Sequence, residues 1–404
     1  MAKTVLSNGI MKRLFAFLLL ISMALCSESP LSSSTLEELG SDIGIQVFNQ
    51  VVKNKPRQNV LVSPHGIAAV LGMLQFGADG KTKKQLTAVM RYNVHGVGKI
   101  LKKINKVLVS KKNKDIVLTA NGVFSQSGFK MEAPFMARNK EVFHGEVRSV
   151  DFADKNASAS MINQWVKNET RGMIENLISP DLIDGALTRL ILVNALYFKG
   201  QWKLRFLPEN TKKRNFNGPD RVSQVPMMSQ LSVFRSGSTS TPNGIRYNVI
   251  ELPYHGGTIS MLIAIPSDEN TPLSSIIPHI STKTIQSWMS MGQRKVQVII
   301  PKFTTEAETD LKDPLKSLGI TDMFDNSKAN FAKISSSEHL HVSHILQKAK
   351  VEVNEDGTKA SAATAAVLMA RSSPPWFIVD RPFLFLIRHN HTGAVLFMGQ
   401  VIKP

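Results

Sequence analysis

The sequence has very little cysteine and only one long apolar run. Its single cysteine is Cys26, so the chain cannot form an internal disulfide, and zinc sites built from cysteine clusters are excluded. A chain of 404 residues can rely on a large hydrophobic core in place of disulfides. No stretch reaches the roughly 20 apolar residues that a membrane-spanning helix needs. A soluble protein is therefore expected.

Acidic residues are also scarce. The 31 Asp and Glu residues stand against 49 Lys and Arg residues, and the formal net charge is +18. An excess of this size favours anionic partners.

The N-terminus predicts secretion. Lys12 and Arg13 precede an apolar run over residues 14–25, the pattern of a signal peptide. Residues 1–26 are the expected signal and 27–404 the mature domain; a buried N-terminal helix is the alternative. The mature chain keeps a charge of about +15. Outside the cell this charge favours sulfated glycosaminoglycans over nucleic acid.

Three sequons predict N-glycosylation where they are exposed. They begin at Asn156, Asn168 and Asn390. Asn390 is the weakest, because it lies in an expected turn between two apolar strands.

Helical periodicity dominates the first third of the chain and strand-like segments dominate the rest. A helix is expected after Ser63-Pro64, and the segment from Phe383 reads as a hairpin with its turn at 389–393. The strand-like segments are "RLILVNALYF", "TISMLIAIP", "KVQVIIPKF" and "FLFLIRHNHTGAVLFMGQ". This order indicates an α+β architecture, and without a convincing linker we expect one unit.

Motifs for catalysis or metal binding fail on inspection. "GADGKT" at Gly77 lacks the earlier glycine of a P-loop, since that position is Gln75. "HGG" at His255 has no G-x-S-x-G partner. Three histidines show no metal-ligand spacing; they are His339, His341 and His344. We therefore expect no enzyme activity, no metal and no cofactor.

A lysine-rich segment, "GVGKILKKINKVLVSKKNK" from Gly96, contains seven lysines and no acid. At about 100° per residue its apolar side chains fall opposite four of the lysines. The expected inward side chains are Ile100, Leu101, Ile104, Val107 and Leu108; the cationic face carries Lys99, Lys102, Lys103 and Lys106, extended by Lys111, Lys112 and Lys114. Like charges on one helix face repel each other, so a face of lysines alone destabilises the helix unless it binds an anion. In a secreted protein this face predicts binding of heparin or heparan sulfate. A solvated helix face is the alternative.

The segment "GTKASAATAAVLMARSSPPW" from Gly357 is rich in small residues and contains one arginine, Arg371. Taken alone, it could be a flexible Ala/Ser linker.

Four segments together resemble the serpin family. They are "NVLVSPHGIAAVLGMLQFGADGKTKKQL", "LVNALYFKGQWKLRF", "LHVSHILQKAKVEVNEDGTKASAAT" and "FIVDRPFLFLIRHNHTGAVLFMGQV". The resemblance implies three β-sheets, about nine helices and an exposed reactive-centre loop at about 355–376. It also implies loop insertion into the central sheet as a new strand.

The resemblance assigns roles within this loop. Arg371-Ser372 would be the reactive bond, with the guanidinium entering the acidic pocket of a trypsin-like protease. The hinge would contain Glu355, Gly357, Thr358, Ala360 and Ala362. Alternate residues from Thr358 to Leu368 are uncharged, as an inserting strand face requires.

Polar and aromatic positions at the opening of the central sheet also match the family. They are Ser63, Asn194, Trp202 and Gln347, with Gly66 and Gln347 standing where the family often has serine and histidine. The sequence thus predicts a secreted, monomeric inhibitor of Arg-specific serine proteases of the thrombin, trypsin, plasmin and urokinase class, accelerated by heparin. A non-inhibitory serpin, acting as a glycosaminoglycan-bound carrier or matrix protein, is the alternative.

Overall fold

The computed structural model describes residues 32–108, 117–336, 339–357 and 373–404. Within these ranges the eight α-helices are α1 (Ser33–Asn54), α2 (Pro64–Gly77), α3 (Gly80–Met90), α4 (Val94–Leu108), α5 (Ala133–Phe143), α6 (Lys155–Glu169), α7 (Thr282–Met289) and α8 (Lys312–Ser317). The expected signal peptide at 1–26 lies outside the described residues. No helix in the described ranges is long and apolar enough to cross a membrane.

Fourteen strands are described. They are β1 (Val60–Val62), β2 (Val117–Gln126), β3 (Glu146–Val150), β4 (Leu190–Lys199), β5 (Lys212–Asn217), β6 (Val222–Ser240), β7 (Arg246–Pro253), β8 (Ile259–Pro266), β9 (Gln293–Pro301), β10 (Phe303–Asp310), β11 (Val342–Val353), β12 (Trp376–Ile378), β13 (Phe383–His389) and β14 (Val395–Val401). The α+β prediction is confirmed.

The strands form a five-stranded sheet and a nine-stranded hydrogen-bonded network. The five-stranded sheet has the order β10-β11-β4-β2-β3, and the network runs β1-β14-β13-β8-β7-β6-β9-β12, with β5 on β6. The second and third sheets implied by the family resemblance are continuous here because β6 is 19 residues long. Its middle pairs with β9 and its end with β7.

Helix α2 lies in the core between these layers. Its predicted start is confirmed: Ser63 caps it by accepting a 3.0 Å hydrogen bond from Gly66 N, and Pro64 occupies the first turn. Such a cap stabilises a helix by about 1 kcal/mol. Nearly every residue of α2 is buried, which is expected for a helix that is apolar on all sides.

Two of the predicted strand segments have different outcomes in the structure. The hairpin β13–β14 is confirmed, with Gly393 in its turn at a φ of 81°. The segment "KVQVIIPKF" is divided, because β9 ends at Pro301 and β10 begins at Phe303 in a different sheet. Lys302 lies between the two strands, and the apolar pattern did not reveal the break.

Candidate functional site

The centre of the five-stranded sheet is the pairing of β11 with β4, which we call the seam. The two strands are parallel and paired from Val342↔Leu190 to Glu352↔Lys199. Strand β11 runs toward Gly357, where the segment 358–372 begins. Any strand entering between β11 and β4 must open the seam.

One end of the seam is closed by an aromatic stack. Trp202 is 2% exposed and lies parallel to Tyr254, with ring centroids 4.3 Å apart. Its Nε1 donates to the carbonyl of Asn354 at 2.7 Å, and its backbone N–H donates to Asp356 O at 2.9 Å. Trp202 therefore holds the chain that leaves β11 against the rest of the protein.

Gly357 must be glycine in this packing. A Cβ there would lie 2.6 Å from both Cα and Cβ of Arg205, much closer than carbon atoms approach. The close approach to Arg205, rather than backbone freedom alone, explains the glycine at the start of the hinge.

Glu355 is fixed just before the hinge. Lys302 Nζ lies 2.9 Å from one carboxylate oxygen, and Thr211 Oγ1 donates to the other at 3.0 Å. Partial burial alone would raise the pKa of Glu355. The hydrogen bonds from Lys302 and Thr211 lower the pKa by more than burial raises it, so the pKa lies below its usual value. Glu355 is therefore ionised at neutral pH and anchors the end of β11.

The middle of the seam carries a row of amides, of which Asn194 and Gln347 are buried and Asn121 is half-buried. The register places Gln347, Asn194 and Asn121 side by side on β11, β4 and β2. Gln347 Nε2 donates to Asn194 Oδ1 at 2.7 Å, and Asn194 Nδ2 donates to Asn121 Oδ1 at 2.7 Å. We call these three residues the amide row.

The amide row is tied to the start of α2 through Ser63. Ser63 N donates to Gln347 Oε1 at 2.8 Å, and Gln347 Nε2 donates back to Ser63 O at 3.2 Å. The structure thus brings Ser63, Asn194 and Gln347 together at the middle of the seam, whereas Trp202 lies at the end of the seam where the chain leaves β11. Buried amides bonded in this way stabilise one register of the sheet.

Gly66 leaves the space that Asn194 occupies. A Cβ on Gly66 would lie 2.8 Å from Cγ and 2.9 Å from Nδ2 of Asn194, and closer still to Oδ1. Glycine at position 66, where the family often has serine, therefore leaves room for the side chain of Asn194 in the amide row.

The central part of the expected reactive-centre loop lies outside the described residues. It includes the expected hinge residues Thr358, Ala360 and Ala362 and the expected reactive bond Arg371-Ser372. The chain is described again from Ser373. Pro375 O accepts a 3.0 Å hydrogen bond from Gln297 N, and Trp376 begins β12 beside β9.

The lysine-rich segment forms α4 as predicted. Lys99, Lys102, Lys103 and Lys106 are all exposed, whereas Leu101 and Ile104 are buried. The inward placement of Val107 is wrong, because this residue is 40% exposed in the last turn. The side chain of Leu108 and the residues Lys111, Lys112 and Lys114 lie outside the described part.

Among the described residues, Glu141 pairs with the cationic face of α4, a contact that the local sequence could not reveal. Glu141 on α5 accepts a 2.9 Å hydrogen bond from Lys102 Nζ, which lowers the pKa of the carboxyl. Both side chains are about half exposed, so the pair stabilises the fold little. The face remains strongly cationic.

The three sequon asparagines differ in accessibility. Asn156 and Asn168 are exposed on α6. Asn390 Nδ2 donates to Gly257 O at 2.9 Å and to Ser260 Oγ at 3.0 Å. A glycan on this nitrogen would remove one of these bonds, so the geometry disfavours Asn390.

The histidines near β11 are not arranged as metal ligands. His344 Nδ1 lies 2.8 Å from Asp310 Oδ2, whereas burial lowers the pKa of His341. Among the described residues, no three side chains of His, Cys, Asp or Glu are grouped to hold a metal.

This architecture and the seam define the class of protein. The chain belongs to the serpin family, since the family model described as "Serpin (serine protease inhibitor)" matches residues 38–404.

Within the family, the basic helix and "ARSSPPW" predict a likeness to glia-derived nexin and, next, to plasminogen activator inhibitors. The chain is 71% identical to human (Homo sapiens) glia-derived nexin, over 94% of this chain and 96% of that protein. It is 43% identical to bovine (Bos taurus) plasminogen activator inhibitor 1, over 92% and 93% respectively. The solved structure of native protease nexin-1 with heparin is 69% identical, with a TM-score of 0.89 over 92% of this chain and 100% of that chain. The predicted likeness is confirmed.

Proposed function

We propose that this protein is a secreted suicide-substrate inhibitor of serine proteases that cleave after arginine, and that heparin or heparan sulfate accelerates it. Thrombin, trypsin, plasmin and urokinase represent the target class. Membership of a family of serine protease inhibitors supports the reaction type.

The parallel seam is the observation that carries the proposal. Strands β11 and β4 pair directly through ten residue pairs. A strand that turned back at Gly357 and entered between them would be antiparallel to both. It would replace one parallel ladder with two antiparallel ladders, which are more stable per residue. Insertion is therefore favourable, and the closed seam stores the free energy that the reaction uses.

The chemistry follows from the expected reactive bond. The protease serine attacks the carbonyl carbon of Arg371, the bond to Ser372 breaks, and the new amino terminus of Ser372 leaves with a proton. The protease is then joined to Arg371 as an ester. Trapping requires insertion of 358–371 before water hydrolyses that ester. The uncharged alternate residues from Thr358 to Leu368 suit this insertion.

The exposed lysines of α4 are the proposed heparin site, continued by Lys111, Lys112 and Lys114. Their exposure, and the solved relative described with heparin, support this assignment. A polyanion that binds both inhibitor and thrombin would raise the effective concentration of each for the other. Binding should weaken as salt increases.

The same proposal covers processing and location. A signal at 1–26 would be removed from a monomeric domain at 27–404, and glycans would be carried at Asn156 and Asn168. The lysines of α4 would retain the secreted protein at cell surfaces or in the matrix.

A denaturing gel tests the function. Purified protein is mixed with thrombin, with and without heparin, beside an Arg371→Gln variant as control. A band at the summed mass, formed faster with heparin and absent from the control, is expected. A shortened chain without that band would overturn inhibition and favour the carrier or matrix role.

A further inference from the structure

Four basic side chains surround the end of α2, beyond the lysines of α4. They are Lys83 on α3, His95 in the first turn of α4, Arg138 on α5 and Lys333 in the segment 331–336. We call these four residues the end cluster. None of them belongs to the heparin site proposed above.

Phe76, a buried residue in the last turn of α2, brings members of the end cluster together. The ring of His95 meets it edge to face, with the ring centroids 5.3 Å apart. Cζ of Arg138 lies 5.9 Å from the centroid of the same ring. The backbone N–H of Lys333 donates to Gly77 O at 3.3 Å. Three separate segments of the chain are therefore fixed around the end of one helix.

The charges of the end cluster lie close to one another and are open to a partner. Burial, together with the charges of Lys83, Arg138 and Lys333, lowers the pKa of His95, so these three cations lie near its ring. Arg138 and Lys333 are exposed, and Lys83 is partly exposed. Asp79 lies 3.6 Å from Lys333, but both side chains are about half exposed, so this pair offsets little of the repulsion. A bound anion would relieve it.

The end cluster continues the cationic face of α4. At about 100° per residue, His95 lies on the same face as Lys99, one turn later. On α5, the hydrogen bond from Lys102 to Glu141, with the charges of Lys102 and Arg138, lowers the pKa of the Glu141 carboxyl. Arg138 is therefore close to the Lys102–Glu141 pair, and the two cationic surfaces are neighbours.

We propose that the end cluster is a second binding site for the sulfated chain that binds α4, engaged only by chains long enough to cover both surfaces. The inference rests on the proposed function, because it takes the lysines of α4 as the first heparin site. Its further content is that residues of α3, α5 and the segment 331–336 bind the same polyanion. Cations drawn from three helices and a loop on an open surface suit an extended chain of negative charges.

The position of the end cluster indicates that it anchors the chain and does not take part in bridging to the protease. Val94 and Val97, near the start of α4, belong to the part of the core that contains Phe76. Ile104, near the end of α4, belongs to the part that contains Trp202, at the end of the seam where the reactive-centre loop begins. The end cluster thus lies at the end of α4 remote from the loop.

The test uses a cluster variant with a matched control. The cluster variant carries Lys83→Gln, Arg138→Gln and Lys333→Gln. The control carries Lys53→Gln, Arg246→Gln and Lys283→Gln, which remove the same charge from exposed positions on α1, β7 and α7. A double variant, Lys83→Gln with Lys333→Gln, leaves the contact between Arg138 and Phe76 intact.

Affinity is measured for full-length heparin and for a heparin fragment about 22 Å long, the length of the 15 residues of α4. We expect the cluster variant to bind full-length heparin about tenfold more weakly, since it loses three exposed ion pairs, and the double variant to show a smaller loss. Binding of the short fragment should change less than about twofold. The loss should shrink as salt increases, and melting temperature, basal inhibition and maximal acceleration at saturating heparin should be unchanged.

Four results would overturn the inference. Unaltered affinity of the cluster variant for full-length heparin would show that the chain does not reach the end cluster. Equal losses for the fragment and the full-length chain would show that no second site exists beyond α4. An equal loss in the control would assign the effect to net charge. Reduced acceleration at saturating heparin would place the end cluster on the path to the protease. Failure of the unmodified protein to bind full-length heparin would instead overturn the proposed heparin site, and this inference with it.

Discussion

Replacing Gly66 with alanine tests whether the amide row holds the seam closed. The added Cβ would lie within 3 Å of three atoms of the Asn194 side chain. Asn194 must then move, and its hydrogen bonds with Gln347 and Asn121, each 2.7 Å long, would be lost. Both Asn194 and Gln347 are 1% exposed, so water cannot easily replace these bonds.

The size of the effect follows from these contacts. Each buried polar group left without a partner costs about 1–3 kcal/mol, so displacement of Asn194 costs about 2–5 kcal/mol. Replacing glycine with alanine within a helix stabilises the folded state by up to about 1 kcal/mol, which offsets part of this cost. The net loss is about 1–5 kcal/mol. At about 2.1 cal/mol/K per residue, this lowers the melting temperature by about 1–6 °C for a chain of this length.

Thermal unfolding and loss of inhibition with time provide the assay. Gly66→Ala should melt at the lower temperature and lose inhibitory activity faster at 37 °C, because the row joins β11 to β4. Gly96→Ala on α4 is the control, since no atom lies within 4 Å of its added Cβ; it should melt as the unmodified protein does or slightly higher. An unchanged melting temperature in Gly66→Ala would refute the reasoning.

Three further predictions concern the lysines, the hinge and the pH dependence. Glutamine at the four described lysines of α4 should abolish the acceleration by heparin but leave inhibition without heparin unchanged. Glutamine at Lys212 and Lys213, the control, should change neither rate. Loss of both heparin acceleration and basal inhibition in the α4 variant would contradict this separation. Thr358→Arg should yield cleaved chain without a covalent complex, and Lys359→Arg on the opposite face should still form the complex; unchanged trapping by Thr358→Arg would mean that the register is wrong. Burial, together with His391 and Arg388, lowers the pKa of His389 in the folded protein to about 4. In the unfolded chain the same histidine binds its proton near pH 6.5. The free energy of unfolding should therefore fall as pH drops from about 6.5 to 4, by about 1.4 kcal/mol per pH unit. Urea unfolding of His389→Asn should show a shallower decline, and an equal decline would exclude His389 as a cause.

Local periodicity predicted helix α4 well because helical burial repeats within a few residues. Leu101 and Ile104 are buried as expected. The burial of Asn105 was not predicted. Its Nδ2 donates to Val142 O, 37 residues away in the sequence, and a contact over that distance leaves no local pattern. Glu141 beside Lys102 is a second long-range contact of this kind. Neither has a signal in the α4 sequence itself.

The amide row shows the same limit in a sheet. Family resemblance singled out Asn194 and Gln347, but not Asn121. The bond between Asn121 and Asn194 depends on the register of β2 against β4, across 73 residues. The strand β2, "VLTANGVFSQ", contains four polar residues, so its own sequence did not single out Asn121. Register is fixed by the packing of both sheet faces, which the sequence of one strand does not contain.

The arrangement of the seam implies an order of events on the proposed mechanism. An inserting strand remains tethered at Gly357, so its first pairs must form beside Val353, where Trp202 and Glu355 hold the chain. Gln347 lies six residues before Val353, about 20 Å away along the strand. The bonds around Trp202 and Glu355 must therefore yield before those of the amide row. Substitutions near Trp202 should consequently alter the start of insertion, whereas Gly66→Ala should alter its later progress and the lifetime of the closed seam.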